Sequence, residues 1–234
     1  MEQEKKIILK VLVGSRGYGI YDDDADYDYR GVYVLPTRRI LSLGYRYKGT
    51  HWIEEESIGA IDDTSYELGH FLQLASKCNP TILNTLKAPV VETNSWGLKL
   101  RKLFSCFIDP KRMYDAFVGY GLNQRKKMLD NKDNRWKKYG AAYLRQLYYL
   151  YCYFTTGDYD FMISKGAKIE HNLMIHQTIE GIKRGSYSTG WIIDLATEIK
   201  NIIDRNIEEE GYSTSTADSD KVNKFLLHVR KEFW

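Results

Sequence analysis

Hydrophobic and polar residues follow strand patterns in the first part of the chain. Residues 7–13, Ile-Ile-Leu-Lys-Val-Leu-Val, are rich in aliphatic and β-branched side chains and stop at Gly14, which predicts a strand followed by a tight turn. Residues 26–35 alternate between two faces and end at a proline, which predicts a second strand. Two further strands are predicted at residues 45–53 and 57–64.

The pattern changes to helical spacing after these strands. Ser65-Tyr66-Glu67-Leu68 resembles a helix start with a capping residue, and Asn79-Pro80 predicts the start of a short helix. Everything after about Trp96 has helical periodicity, including residues 141–154, which are apolar on nearly all sides and predict a central buried helix. The chain is therefore predicted to be α+β, with a small mixed-sheet domain over residues 1–95 and a helical domain over 96–234.

Composition and charge narrow the class of protein. Hydrophobic residues make up 43% of the 234 residues, which is enough to form a packed core. The net charge of +3 is too small to indicate nucleic-acid binding by itself. Residues 99–149, however, hold 13 basic and 4 acidic side chains, a local charge of +9. This region is either a solvated helical face or a basic surface for the phosphates of a nucleotide or a nucleic acid.

The cysteines and the N-terminal residues indicate the compartment. The three cysteines lie far apart and form no CxxC pair, which argues against a disulfide framework or a zinc knuckle and favours a reducing compartment. Lys10 interrupts the first apolar stretch, so no signal peptide is predicted. No apolar run approaches the roughly 20 residues of a membrane span, and no membrane association is predicted.

Gly14-Ser15 is the first candidate for chemistry. A small pair at the end of a strand exposes backbone N–H groups and a hydroxyl at a turn, which suits a phosphate group. Arg16 stands where a dinucleotide-binding fingerprint has its second glycine, and no Gly-Lys-Ser/Thr of a Walker loop follows.

Asp26 and Asp28 are the second candidate. Residues two apart in a strand share a face, and two carboxylates held about 6 to 7 Å apart repel each other unless a cation binds them. Oxygen ligands of this kind suit Mg²⁺, which binds one or two carboxylates together with substrate phosphates. The alternative is an exposed acidic turn, because five aspartates occur between residues 22 and 28.

A third carboxylate, Asp62 or Asp63, follows on a later predicted strand. With it, two metal ions could be held on the attacking and leaving oxygens of a displacement reaction. The alternative is an ordinary surface aspartate. Strand alternation favours Asp62, because Asp63 lies on the same strand face as Ile61, whose side chain is expected to be buried.

Together, these motifs resemble the DNA polymerase beta-like nucleotidyltransferase superfamily. The similarity is most specific to its bacterial and phage branch of predicted nucleotidyltransferases linked to RNA repair, and it covers most of the first 90 residues. It rests on Gly14-Ser15-Arg16-Gly17-Tyr18-Gly19, Asp26-x-Asp28-x-Arg30-Gly31-Val32, Ser65-Tyr66-Glu67-Leu68 and Asn79-Pro80. The resemblance implies a small nucleotidyltransferase palm followed by a helical domain, with a nucleoside triphosphate (NTP) and metal ions between them.

The resemblance also implies roles for individual residues. Gly14 and Ser15 would hold the β- and γ-phosphates. Asp26 and Asp28 would ligate Mg²⁺ or Mn²⁺, and Asp62 would be the third metal ligand and help to activate the acceptor hydroxyl. The candidate contacts to phosphate or nucleobase are Arg16, Arg30, Lys138 and Arg145.

The predicted activity is metal-dependent transfer of a nucleoside monophosphate from an NTP to an acceptor hydroxyl, with release of pyrophosphate. The favoured acceptor is the 3′ end of a tRNA-like RNA, because the basic region suits a polynucleotide. One alternative is transfer to a protein hydroxyl, as in smaller antitoxin relatives of the superfamily. Another is a non-catalytic module that binds nucleotide or a partner. The expected location is the cytoplasm of a bacterium or of a phage-infected cell.

Overall fold

The structure is a computed structural model, and it describes residues 5–21, 25–46, 50–53, 62–159 and 170–234. The strands in these ranges are β1 (Lys6–Val13), β2 (Asp28–Val34), β3 (Thr50–Ile53), β4 (Asp62–Glu67) and β5 (Val90–Thr93). The helices are α1 (Gly14–Tyr18), α2 (Thr37–Ile40), α3 (Leu68–Ala75), α4 (Pro80–Lys87), α5 (Ser95–Lys102), α6 (Pro110–Asp130), α7 (Trp136–Thr156), α8 (Glu170–Arg184), α9 (Thr189–Glu210) and α10 (Ser219–Glu232), with a short 3₁₀ helix at Phe104–Phe107. The predicted α+β class is confirmed.

The chain divides into two compact units. The first unit comprises Met1–Asp109 together with Thr216–Trp234, and the second comprises Pro110–Ser215. The first unit holds all the described strands, whereas the second consists of α6 to α9 with their connections. In sequence, the helical unit is therefore inserted into the sheet unit. The domain division between residues 95 and 96 stays a prediction.

The sheet of the first unit has the strand order β3-β4-β2-β1-β5. β1 is antiparallel to both β2 and β5, β2 is parallel to β4, and β3 is antiparallel to β4, so the sheet is mixed. Leu9, Val11 and Val13 alternate along β1 and are at most 3% exposed, which identifies the face that packs into the core. Lys10 and Leu12 lie on the opposite, more accessible face.

Two details of this unit correct the expected element boundaries. Ser65, Tyr66 and Glu67 belong to β4, so the helix start predicted at Ser65 is wrong. The N-cap of α3 is Glu67, whose carboxylate accepts a hydrogen bond from the backbone N–H of Gly69. Strand β5 lies in a stretch for which no strand was predicted. The predicted Asn79-Pro80 start is confirmed, because the Asn79 side chain caps α4 and Pro80 is its first residue.

The C-terminal helix α10 belongs to the first unit and is joined to it by buried polar contacts. Nη2 of Arg230 donates to both carboxylate oxygens of Glu67, at 2.8 and 3.0 Å, and Glu67 is only 1% exposed. The hydroxyl of Thr37 donates to the backbone oxygen of Arg230 at 2.6 Å, and the backbone N–H of Thr37 donates to the backbone oxygen of Phe233 at 2.6 Å. A residue 163 positions further along the chain therefore neutralises the buried carboxylate at the end of β4.

In the second unit, α7 is the central helix, as the apolar pattern of residues 141–154 predicts. Leu144, Tyr149 and Leu150 of α7 are fully buried. Gly140 lets α7 approach its neighbours closely, since a Cβ there would lie 3.1 Å from both Met128 of α6 and Ile192 of α9. No helix within the described residues is long and apolar enough to cross a membrane.

Candidate active site

Gly14 and Asp28 are brought into direct contact at the ends of β1 and β2. The register pairs Val13 with Asp28, so the turn that follows Val13 lies beside the Asp28 side chain. Gly14 has a φ of +64°, a conformation that side chains other than glycine's disfavour. A Cβ on Gly14 would overlap Oδ2 of Asp28. The position therefore requires glycine both for its backbone conformation and for the close approach of the carboxylate.

Asp26 lies just before the strand rather than in it. The predicted strand over residues 26–35 begins only at Asp28, which pairs with Val13, the last residue of β1. Asp26 is exposed. Strand alternation therefore does not set the direction of its side chain, and its role as a metal ligand stays a prediction that rests on its position two residues from Asp28.

The parallel pairing of β2 with β4 aligns Asp28 with Asp62, and Tyr29 with Asp63. Positions that are aligned in adjacent strands lie on the same face of a sheet, so the register associates Asp62, rather than Asp63, with the face of Asp28. The side chains of Asp62 and Asp63 lie outside the described part of the structure. Their assignment as the third carboxylate stays a prediction.

Arg30 and Ser15 lie near Asp28 on the first unit. Arg30 follows Asp28 by two residues in β2, so both belong to one face. Nη1 of Arg30 donates to the backbone oxygen of Thr81 at 3.4 Å, whereas its buried Nε has no hydrogen-bond partner among the described residues. Ser15 is half-buried in α1, and its backbone oxygen accepts from the N–H of Ile20. Arg30 therefore places a positive charge on the strand face of Asp28.

Arg16 makes protein contacts that its predicted role as a phosphate or nucleobase contact does not include. Its Nε donates to the backbone oxygen of Ala25 at 2.7 Å. Its guanidinium carbon lies 4.2 Å from the centre of the Tyr27 ring and 4.9 Å from that of Tyr21. These contacts are cation–π interactions with two half-exposed rings. Sequence reasoning missed these contacts, because residue spacing does not place Tyr21 and Tyr27 beside Arg16.

Lys138 and Arg145 lie in the second unit, on α7. Lys138 is exposed and Arg145 is half-buried. They thus belong to a different compact unit from the other candidates, and their assignment to the nucleotide stays a prediction.

The donor set of the first unit suits a divalent cation. The described side chains contain no group of three Asp, Glu, His or Cys residues placed to hold a metal ion, but that set lacks the side chain of Asp62. The carboxylates of Asp26 and Asp28 are hard oxygen ligands, the kind that Mg²⁺ and Mn²⁺ prefer. The contact of Asp28 with a glycine also leaves no side chain from Gly14 in the way of a bound phosphate.

Comparison with known proteins identifies the family. A model of the RNA repair pathway DNA polymerase beta family, RlaP, matches residues 1–148. The chain belongs to this family. The match covers the Gly-Ser turn, both strands that bear the candidate carboxylates, and most of the first helix pair of the second unit. It confirms the resemblance inferred from the motifs.

Two individual proteins are similar to this RlaP family member. An uncharacterized protein of Bacillus subtilis (strain 168), YcgL, is 29% identical over 136 residues, which are 57% of this chain and 51% of that protein. The match thus spans about half the length of the curated relative. A nucleotidyltransferase-like protein from Exiguobacterium sibiricum 255-15, solved as a crystal structure, aligns over 97% of this chain and 74% of its own, with 9% identity and a TM-score of 0.33. A TM-score of 0.33 is too low for this match to support a conclusion about the fold.

Replacing Gly14 by alanine tests whether the contact with Asp28 matters in this RlaP protein. We expect Gly14→Ala to lower nucleotide transfer, the activity that we propose below, about 100-fold, because the new methyl group must push the carboxylate aside and displacements of about 1 Å can cost that much. The measurement is the initial rate of labelled nucleotide incorporation at saturating NTP.

Gly44→Ala is the matched control for this variant. Gly44 has a φ of +82° but no atom within 4 Å of a Cβ, so it shares the backbone strain and lacks the collision. Its activity should stay within about twofold of the wild type. Equal losses in both variants would show that backbone strain, and not the position of Asp28, explains the effect.

Proposed function

We propose that this protein is a metal-dependent nucleotidyltransferase that transfers a nucleoside monophosphate from an NTP to an acceptor hydroxyl. The observation that carries the proposal is the meeting of Gly14 with Asp28 at the strand ends, in register with Asp62 on the next strand. A glycine turn beside aligned aspartate positions suits metal-assisted displacement at phosphorus. Membership of the RlaP family supports the same conclusion.

Each residue has a separate task in the proposed reaction. The backbone N–H groups around Gly14 and Ser15 would hold the β- and γ-phosphates, and the guanidinium of Arg30 would donate to phosphate oxygens. Asp26, Asp28 and Asp62 would hold the cations, whose charge would offset that of the triphosphate and would lower the pKa of the acceptor hydroxyl. The hydroxyl attacks the α-phosphorus, and pyrophosphate leaves in line. Asp62 would also accept a hydrogen bond from the attacking hydroxyl.

An RNA 3′ end is the proposed acceptor. The second unit contains most of the region with a local charge of +9, and Lys126, Lys127 and Lys138 are exposed there. Such a surface attracts the phosphates of a polynucleotide over a distance of about a Debye length. The family description, which refers to RNA repair, supports this acceptor class over a protein hydroxyl.

A labelled-nucleotide assay tests the proposal. Each of the four NTPs is offered with Mg²⁺ or Mn²⁺ to total RNA and, separately, to total protein, and the Asp26→Ala/Asp28→Ala double variant serves as the control. Label that enters RNA and is lost in the control supports the proposal and identifies the base. Label in protein would replace the RNA acceptor by a protein one. Metal-dependent NTP binding without label in either pool would favour a non-catalytic module.

The two candidates for the third carboxylate make separable predictions. Because Asp62 is in register with Asp28, we expect Asp62→Asn to lower incorporation about 1000-fold, a loss typical of removing a principal electrostatic group. Asp63 is in register with Tyr29, and Asp63→Asn should stay within about threefold of the wild type. The initial rates of the two variants decide the matter, and the reverse order of effects would contradict the assignment.

A further inference from the structure

A continuous row of three tyrosine rings and two cations begins on the accessible face of the sheet and continues next to the candidate site. The members of this row, which we call the tyrosine–cation row, are Lys10, Tyr29, Tyr27, Arg16 and Tyr21. Nζ of Lys10 lies 4.6 Å from the centre of the Tyr29 ring. The rings of Tyr29 and Tyr27 are 6.3 Å apart and within 19° of parallel. Arg16 then lies between Tyr27 and Tyr21, so each member contacts the next one.

The register fixes the position of the row relative to the aspartates. Val13 and Asp28 are paired on the face of the sheet that packs into the core, whereas Leu12 and Tyr29 are paired on the opposite face. Lys10 is two residues from Leu12 and belongs to that opposite face. The row therefore begins on the accessible face and continues past the strand end at which Asp28 contacts Gly14.

Two of the three rings of the row are about half-exposed. Tyr21 is 48% exposed and Tyr27 is 49% exposed, although each contacts Arg16. Rings that serve only to pack a turn would bury more of their area, since each aromatic side chain can bury 150–250 Å². The cation contacts instead hold the rings in place while about half of each stays accessible. This is a preorganised surface, and binding to it would cost little side-chain entropy.

The chemistry of the row matches single-stranded nucleic acid. Aromatic rings stack on nucleobases, and neighbouring lysine and arginine side chains attract the phosphates between them. A single NTP offers one base, whereas the row offers three rings in succession, which suits several consecutive nucleotides. Bases within a duplex are already stacked and paired, so a duplex could use only the cations.

We propose that the tyrosine–cation row binds the single-stranded end of the polynucleotide acceptor and leads it to the site at Gly14 and Asp28. The proposal rests on the proposed function for the identity of the acceptor, but binding to the row can be measured without any transfer. It assigns Tyr21 and Lys10, neither of which belongs to the proposed catalytic set, to acceptor recognition.

Fluorescence anisotropy of a labelled single-stranded oligoriboadenylate, about 12 nucleotides long, tests the proposal on the full chain. We expect Tyr21→Leu to weaken its binding about tenfold, and Tyr21→Phe, which keeps the ring, to bind as the wild type does. Lys10→Gln should reduce the slope of log K against log salt by about 0.7, the contribution of one phosphate contact with a single strand. Affinity for a fluorescent ATP analogue should not change in any of the three variants.

Several outcomes would overturn the proposal. These are an unchanged affinity of Tyr21→Leu for the oligonucleotide, equal losses for Tyr21→Leu and Tyr21→Phe, equal or tighter binding of a duplex of the same length, and the absence of oligonucleotide binding by the wild type. A loss of affinity for the ATP analogue alone would reassign the row to the NTP. Thermal unfolding of each variant excludes misfolding as a cause. Oligonucleotide binding that depends on Tyr21, in a protein that incorporates no label, would support the row and contradict the proposed transfer activity.

Discussion

Asp28→Asn should abolish nucleotide transfer, with a loss of at least about 1000-fold, and leave the fold intact. The substitution preserves the shape of the side chain against Gly14 but removes the negative charge that would bind the cation. Because the amide keeps the size of the side chain, the thermal midpoint of the variant without ligand should stay close to that of the wild type. The measurements are incorporation of labelled nucleotide and thermal unfolding with and without Mg²⁺ and NTP.

The change in thermal stability on adding Mg²⁺ and NTP distinguishes a defect in binding from a defect in the chemical step. A ligand at about 100 times its Kd stabilises the wild type by about 2.7 kcal/mol, and this increment should vanish in Asp28→Asn if the carboxylate holds the metal–nucleotide complex. Asp220→Asn, at an exposed position in the first turn of α10, is the matched control and should keep both activity and shift. Substantial transfer by Asp28→Asn would contradict the assignment of the site.

Arg230→Met should destabilise the first unit by about 3–5 kcal/mol. The substitution preserves much of the side-chain volume but leaves the carboxylate of Glu67, which is 1% exposed, without the cation that neutralises it. For a chain of this size the loss corresponds to a fall of roughly 10 °C in the midpoint of the transition that reports on this unit. Differential scanning calorimetry measures it, because separate transitions of the two units can be resolved.

Two further variants make the argument specific to the ion pair. Lys231→Met removes a positive charge from the adjacent, exposed position of α10 and should change stability by no more than about 0.5 kcal/mol. Glu67→Gln combined with Arg230→Met removes both charges while an amide oxygen can still cap α3, so the double variant should regain part of the loss. A single variant Arg230→Met as stable as the wild type would show that solvent reaches Glu67.

The parts of the fold that the sequence predicted well are those set by local chemistry. The first strand, predicted at residues 7–13, is observed at Lys6–Val13, because a β-branched run ending at glycine has few other conformations. The cap of α4 follows directly from Asn79-Pro80. The buried central helix α7 follows from apolar residues on nearly every side of its helical wheel.

The errors in the fold arise where distant contacts decide the structure. Ser65 has the local signature of a helix cap, yet pairing with β2 keeps residues 65–67 in β4. The exposed residues of β5 lack the alternation of a half-buried strand, and only pairing with β1 makes them one. The return of α10 to the sheet unit brings Arg230 to Glu67, a long-range contact that no local pattern reveals.

The candidate site, like the fold, has features that local sequence predicts and features that distant contacts decide. The contact of Gly14 with Asp28 and the register of Asp28 with Asp62 agree with an order of motifs that is readable from sequence. The strand alternation expected at Asp26 does not hold, because the partner strand ends before it. The stacking of Arg16 with tyrosines depends on how a turn folds back on the sheet, and residue spacing does not encode that.

The insertion of the helical unit into the sheet unit has a consequence for the order in which the nascent chain folds. Residues 110–215 are complete while Arg230 has still to be translated, so the helical unit can fold during synthesis, as compact units commonly do. In the sheet unit, the carboxylate of Glu67 lacks its ion-pair partner until Arg230, 163 positions later, has been synthesised. Contacts of such long separation form slowly. Translation that stops soon after residue 215 would therefore leave out α10, and the buried carboxylate of Glu67 would lack Arg230.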